Sequence, residues 1–298
     1  MVNAQLLAVG IRKADSRKLY PDRHQADEAG LPLLVVENTL GRAVIALQGA
    51  HIMSFQPAGK DDLLWLSPLT RLSDGVPIRG GIPLCLPWFG PGPDGKSMHG
   101  FARTSDWTVT AGELLPNDTT RLVLELAGDA STSELWPHAF VFRLELEIGS
   151  TLKMTLEVNN HGIDSAPLAF AFHTYFSVPD VAKARVSGLD GTVYVDKIEA
   201  FSRKTQTGEV TIDGATDRIY LDVPKRQTIT AGARHLTIES EARCAVVWNA
   251  WDNDKNIPDL GAGNHVGYLC VERGDVADYA ATLAPGGSYR VSMTLEEE

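Results

Sequence analysis

Residues 140–158 read FVFRLELEIGSTLKMTLEV, and the spacing of their apolar positions decides the class of fold. Phe140, Phe142, Leu144, Leu146 and Ile148 alternate with Arg143, Glu145 and Glu147; after Gly149 and Ser150, Leu152, Met154, Leu156 and Val158 alternate with Lys153, Thr155 and Glu157. A period of two is that of a half-buried strand, whose successive side chains point to opposite faces, and not the 3.6 of a helix. Gly149 and Ser150 suit a two-residue hairpin turn with glycine first, so the two strands are expected to be antiparallel, each with one apolar face.

The pattern recurs along the chain. RLVLELAG at 121–128, HLTIESEA at 235–242 and YRVSMTL at 289–295 show the same alternation. LLVVEN at 33–38 and RAVIAL at 42–47 flank turn residues Asn38 and Gly41 and read as a hairpin, with QGAHIMSF and DLLWLS continuing the series. The sequence predicts no long amphipathic helix, no linker, no repeat and no low-complexity tract. Many short strands separated by Gly, Pro, Asn and Asp imply an all-β antiparallel sandwich or barrel over residues 1–298. Residues 1–30 are mixed and polar and are expected to form an irregular or partly helical lead-in, while Glu296–Glu298 reads as a solvated tail.

At 298 residues with 44% hydrophobic and 22% charged content, the chain can bury a full core. A net charge of −11 argues against nucleic acid or an anionic membrane surface as a partner, so an anionic ligand needs a local cationic pocket. The three cysteines, Cys85, Cys244 and Cys270, form neither a CxxC motif nor a disulfide framework and read as reduced core thiols. With neither a signal core nor an apolar run of about 18 residues or more, the expected location is the cytoplasm.

One stretch resists reading as a core segment. Residues 79–103, RGGIPLCLPWFGPGPDGKSMHGFAR, hold six glycines and four prolines beside Arg79, His99 and Arg103. Such a run predicts an ordered, non-repetitive loop entered and left by strands, with Gly80 and Gly81 admitting a ligand close to the backbone. If MHGFAR is extended, His99 and Arg103 project to one side, and with Arg79 they present three potential cations to one anion. The alternative is that both arginines pair with surface carboxylates.

RGGIP, PWFG and MHGFAR resemble the signature of the hexose-6-phosphate mutarotases, a branch of the aldose 1-epimerase (galactose mutarotase-like) family, and the likeness continues over roughly residues 33–295. It implies a large antiparallel β-supersandwich and the interconversion of α and β anomers of glucose 6-phosphate. Arg79, His99 and Arg103 would hold the phosphate of a hexose 6-phosphate substrate. The family's members are often monomers, which implies a monomer here.

Further motifs fit the resemblance. In PLAFAFHTYFSV (167–178), Ala169, Ala171 and His173 share one face of an expected strand, with Phe170, Phe172 and Thr174 on the other. Small neighbours leave His173 room for a ligand, although a lone histidine on an apolar strand is commonly a satisfied core group. HTYF resembles the family's general-acid motif. In YLCVERGD (268–275), Glu272 ends a strand expected to be buried, where a carboxylate must be paired or functional. An ion pair with Arg273 or a distant arginine is one reading; the resemblance implies the catalytic base.

Asp217 in ATDRIY resembles the family's aspartate that contacts substrate hydroxyls, though an Asp in a turn before a strand is commonplace. VVWNAW resembles a family Trp-Asn-Pro-Trp segment, with Ala250 in place of proline; Trp248 and Trp251 could stack on a sugar or anchor the core. His51, His99 and His173 lack the spacing of a metal site, and GPGPDGK is not a phosphate-binding P-loop. The resemblance implies acid–base chemistry without metal, redox cofactor or covalent intermediate. Two rivals remain: an aldose 1-epimerase for free sugars, and a non-catalytic carbohydrate-binding or regulatory module on the same fold.

Overall fold

A computed structural model describes residues 6–24, 28–92, 95 and 97–298. Parts of the expected lead-in (1–5 and 25–27) and of the GPGPDGK turn (93, 94 and 96) lie outside the described residues. Among the described residues the regular structure is almost entirely strand, in antiparallel sheets of nine, eight, four and two strands. The longest α-helix among the described residues is the six-residue Ala130–Leu135.

Strands Phe140–Ile148 and Leu152–Asn160 pair at the middle of the nine-stranded sheet. Phe142, Leu144, Leu146 and Ile148 are wholly buried, while the alternate positions remain partly exposed. Burying each such side chain contributes about 1.5–3 kcal/mol. The outward pairs, Lys153 to Glu147 at 2.6 Å and Arg121 to Glu145 at 2.6 Å, are partly solvated and contribute about 0.2–1 kcal/mol apiece, so the apolar face holds the hairpin. The turn differs from expectation. Ile148 pairs with Leu152, leaving the three residues 149–151 as connection, closed by the Gly149 N–H donating to the Thr151 carbonyl at 3.0 Å. Gly149 is there for space: a Cβ would sit 2.8 Å from Thr119 Oγ1.

The hairpin expected around Asn38 and Gly41 forms between Pro32–Asn38 and Gly41–Ala46, with Asn38 Oδ1 accepting from the Leu40 and Gly41 amides. It belongs to the four-stranded sheet, whose edge strand is Ile11–Asp15. The described lead-in is partly helical as expected, at Ser16–Leu19 and Pro21–Arg23, but it also supplies this strand, where tertiary pairing overrides a weak local pattern. DLLWLS, conversely, makes only isolated bridges, Leu64 to Phe176 and Leu66 to Gly80.

The eight-stranded sheet carries the site. Across it run Ser202–Thr205, Val193–Asp196, Thr216–Leu221, Cys244–Asn249, Tyr268–Asp275, Phe170–Phe172 and Leu84–Cys85, with Tyr175–Ser177 also paired to Tyr268–Asp275. Its inner face contributes Phe170, Phe172, Ala245, Val247 and Val271 to the main core. Its outer face holds Cys85, Ala171, Ile219, Cys244 and Val246 in a separate cluster, with Phe89 and Trp248 packed on it. The three cysteines are free and buried, as expected.

Candidate active site

Glu272 lies within, not at the end of, strand Tyr268–Asp275, on the outer face opposite Val246. Its carboxyl is 1% exposed. Oε1 is 3.2 Å from His173 Nδ1, and Oε2 has no hydrogen-bond partner among the described residues. His173 follows strand Phe170–Phe172, and the faces segregate as expected: Phe170 and Phe172 enter the core while Ala171 lies outside. The 3.2 Å contact is not aligned as a hydrogen bond, which leaves Nδ1 also unpartnered. Buried polar atoms without partners are rare, and His173 Nδ1 and Glu272 Oε2 belong to two side chains in contact, which makes this pair the candidate place for a polar ligand.

Arg273, the alternative partner for Glu272, points the other way. Its wholly buried guanidinium donates to the Lys225 carbonyl at 3.0 Å and also to Gln227 and the Ala242 carbonyl. Burial lowers its pKa to about 10. Charges bear on Glu272 from a different quarter: desolvation raises its pKa well above the usual carboxylate range, Asp217 adds to that rise and Lys197 opposes it. Desolvation, followed by His99, Arg79 and Arg103, pushes His173 well below the usual imidazole value. Both members of the pair thus resist carrying charge.

The glycine-rich run is a non-repetitive loop, as expected, but its glycines serve a different purpose. Gly80 and Gly81 have φ of +102° and +62°, and a Cβ at either would lie 2.4 Å from the Trp65 carbonyl or 2.3 Å from the Ile52 carbonyl. The pair therefore admits neighbouring backbone, not ligand. His51 locks the turn: its Nε2 meets the Gly80 carbonyl at 2.8 Å, and burial lowers its pKa to about 4, so the neutral ring donates there. A two-residue strand, Leu84–Cys85, interrupts the loop. MHGFAR is not extended: His99 and Gly100 have φ of +64° and +72°, and Ala102–Thr104 is a 3-10 turn.

Even so, Arg79 and Arg103 come near His99, which is a neutral ring and not a third cation. Arg103, Lys197 and Arg79 all act on His99, which with burial brings its pKa down to about 3. The His99 ring is 5.8 Å from that of His173. Neutral His99 accepts the Gly90 amide at Nδ1 (3.2 Å), which leaves Nε2 carrying the hydrogen as a free donor direction. Arg103 Nη2 donates to the Met98 carbonyl at 2.7 Å, and among the described residues Arg103 has no carboxylate partner. Arg79 is more committed: Nε meets Asp259 Oδ2 at 3.1 Å and Nη1 donates to the Tyr175 hydroxyl at 3.0 Å.

Tyr175, Lys197 and Asp259 were missed from sequence. Tyr175 stacks on His173 with centroids 4.8 Å apart and planes 9° apart, linking Arg79 to the imidazole. HTYF contained it, but nothing local distinguishes a stacking tyrosine from a core one. Asp217 lies inside strand Thr216–Leu221 rather than in a preceding turn, and Lys197 Nζ is 2.7 Å from its Oδ2. Trp248 stands edge-on to His173 at 6.0 Å and lies on the site face; Trp251 follows Ala250 in a 3-10 turn held by Asn249 Oδ1. Among the described residues no group of three or more His, Cys, Asp or Glu could hold a metal ion, and no helix is long and apolar enough to cross a membrane.

The aldose 1-epimerase family model matches residues 32–296 of this large antiparallel chain, and the chain belongs to that family. Among individual relatives, an Escherichia coli K12 protein is 41% identical over 256 residues, 84% of each chain. One from Cenchrus ciliaris is 33% identical over 266 residues, covering 85% of this chain and 80% of the other. Both are by name candidate glucose-6-phosphate 1-epimerases. A Salmonella typhimurium crystal structure, titled as a candidate mutarotase, superposes with a TM-score of 0.85 at 30% identity and covers 100% of this chain and 99% of its own. A galactose mutarotase related enzyme from Lactobacillus acidophilus, 16% identical, shares the fold with a TM-score of 0.72.

Proposed function

We propose that the protein is a hexose-6-phosphate mutarotase that interconverts the α and β anomers of glucose 6-phosphate. The buried Glu272–His173 pair, 3.2 Å apart with a carboxylate oxygen unpartnered, carries this reading. In the forward direction Glu272 takes the proton of the anomeric hydroxyl while His173, as imidazolium, protonates the ring oxygen. The C1–O5 bond breaks and leaves the open-chain aldehyde. Rotation about C1–C2 presents the other carbonyl face, and ring closure returns both protons, so each turnover leaves the pair as it began. General acid–base work of this kind contributes about 10²–10⁴-fold.

Desolvation disfavours charge on both partners. Substrate changes that balance. Its hydroxyls supply the donors that Glu272 Oε2 lacks, favouring the carboxylate, and a phosphate dianion beside the histidines favours the imidazolium. Arg103 and the His99 Nε2–H offer the phosphate a guanidinium without a carboxylate partner and a donor. Arg79, held by Asp259 and Tyr175, adds a second guanidinium. Asp217 receives sugar hydroxyls. Three free, buried thiols suit a reducing compartment, which supports a cytoplasmic location.

The test is NMR exchange between the anomeric protons of glucose 6-phosphate and, separately, of glucose, with catalytic amounts of protein. Exchange accelerated for the phosphate ester alone is the expected result, and Arg103→Ala then raises KM for the ester. Acceleration of both sugars equally overturns the phosphate pocket, and acceleration of neither overturns the mutarotase reading.

A further inference from the structure

We propose that Lys197 is a positioning residue for the reaction: its ammonium fixes the Asp217 carboxylate on the Glu272 face of the sheet and offsets the negative charge that Asp217 places beside the base. This rests on the mutarotase reading above.

Lys197 is the first residue beyond strand Val193–Asp196. Asp196 Oδ1 accepts from the Ile198 and Glu199 amides at 3.1 and 3.2 Å and so shapes the turn that presents it. The Lys197 amide donates to the Asp217 carbonyl at 2.9 Å, and Nζ reaches Asp217 Oδ2 at 2.7 Å. Backbone and side chain thus grip the same residue. Asp217 pairs across the sheet with Trp248, and Trp248 with Cys270; two residues on from Asp217 and Cys270, Ile219 and Glu272 both pair with Val246. Asp217 and Glu272 therefore share one face, two strands apart.

An ion pair at a surface is ordinarily worth little. This one is 29% and 22% exposed, and its neighbours are otherwise engaged: Lys204 contacts Glu199 and Asp196, and Arg218 contacts Asp196. The groups around Glu272 are His173 from the turn after Phe170–Phe172, Asp217 from Thr216–Leu221, Lys197, Cys270 on its own strand, Cys85 from Leu84–Cys85 and Tyr175 from Tyr175–Ser177. Of these, Asp217 and Lys197 are the charges acting on Glu272, and their signs oppose. Without the ammonium, the Asp217 carboxylate acts alone and Glu272 holds its proton more tightly.

The experiment compares wild type, Lys197→Met and Lys197→Arg by anomer exchange of glucose 6-phosphate from about pH 5 to 9, with carboxyl-¹³C NMR titration of Glu272 in the same proteins. Lys197→Met is expected to move the rising limb of kcat and the Glu272 titration upward by about one pH unit, with about tenfold loss of kcat near neutrality that shrinks as pH rises. Lys197→Arg restores most of both. A folded Lys197→Met protein with an unchanged Glu272 titration overturns the proposal, whether or not wild type is active. A rise in KM for the ester with no movement of the pH profile also overturns it, assigning Lys197 to phosphate binding. Wild type without exchange overturns the mutarotase reading instead, and the ¹³C titration still decides whether Lys197 tunes Glu272.

Discussion

Glu272 and Arg273 are adjacent in the chain, both at most 1% exposed, and face opposite sides of one strand. Arg273 faces inward and is saturated by carbonyls; Glu272 faces outward and keeps an oxygen unpartnered. One buried charge is structural and the other is held ready for a ligand.

Arg273→Met removes the donor to several buried acceptors from 224–242 at once. Each orphaned acceptor costs about 1–3 kcal/mol, so the variant is expected to lose about 3 kcal/mol or more of stability. Urea unfolding measures it, and a loss under about 1 kcal/mol would show that water replaces the guanidinium.

Glu272→Gln is expected to lower kcat about 10²–10⁴-fold with little change in KM, measured by anomer exchange. The same variant gains thermal stability relative to wild type as pH rises. Desolvation holds the Glu272 proton more tightly in the folded chain than in the unfolded one, so wild type loses stability as pH climbs from the ordinary carboxylate range toward the raised folded value. The amide does not titrate. The Tm difference in favour of Gln should therefore be small near pH 4 and widen toward pH 8, by about 2–4 °C per kcal/mol; a constant difference would contradict the raised value.

Tyr175→Phe keeps the ring on His173 and releases Arg79 Nη1. A hydrogen bond to a charged group is worth about 1.5–3 kcal/mol, so KM for glucose 6-phosphate is expected to rise about fivefold or more while kcat stays near wild type. A fall in kcat with KM unchanged would place the hydroxyl in the chemistry and not in the anchoring of Arg79.

Strand class, the hairpin at 140–158, the outward His173 and the burial of Glu272 were legible in the sequence, because period two is a local property that any half-buried strand must write into its side chains. The partners were not. Arg79 meets Asp259 from 180 residues away, Lys197 meets Asp217 by strand registry, and Arg273 leaves Glu272 for carbonyls on other strands. Nor did polarity at the N-terminus betray strand Ile11–Asp15, whose order comes from pairing with Pro32–Asn38. Local spacing determines which face a side chain occupies; only the folded sheet determines which distant charge stands opposite it, and in a dry site that charge decides where the proton rests.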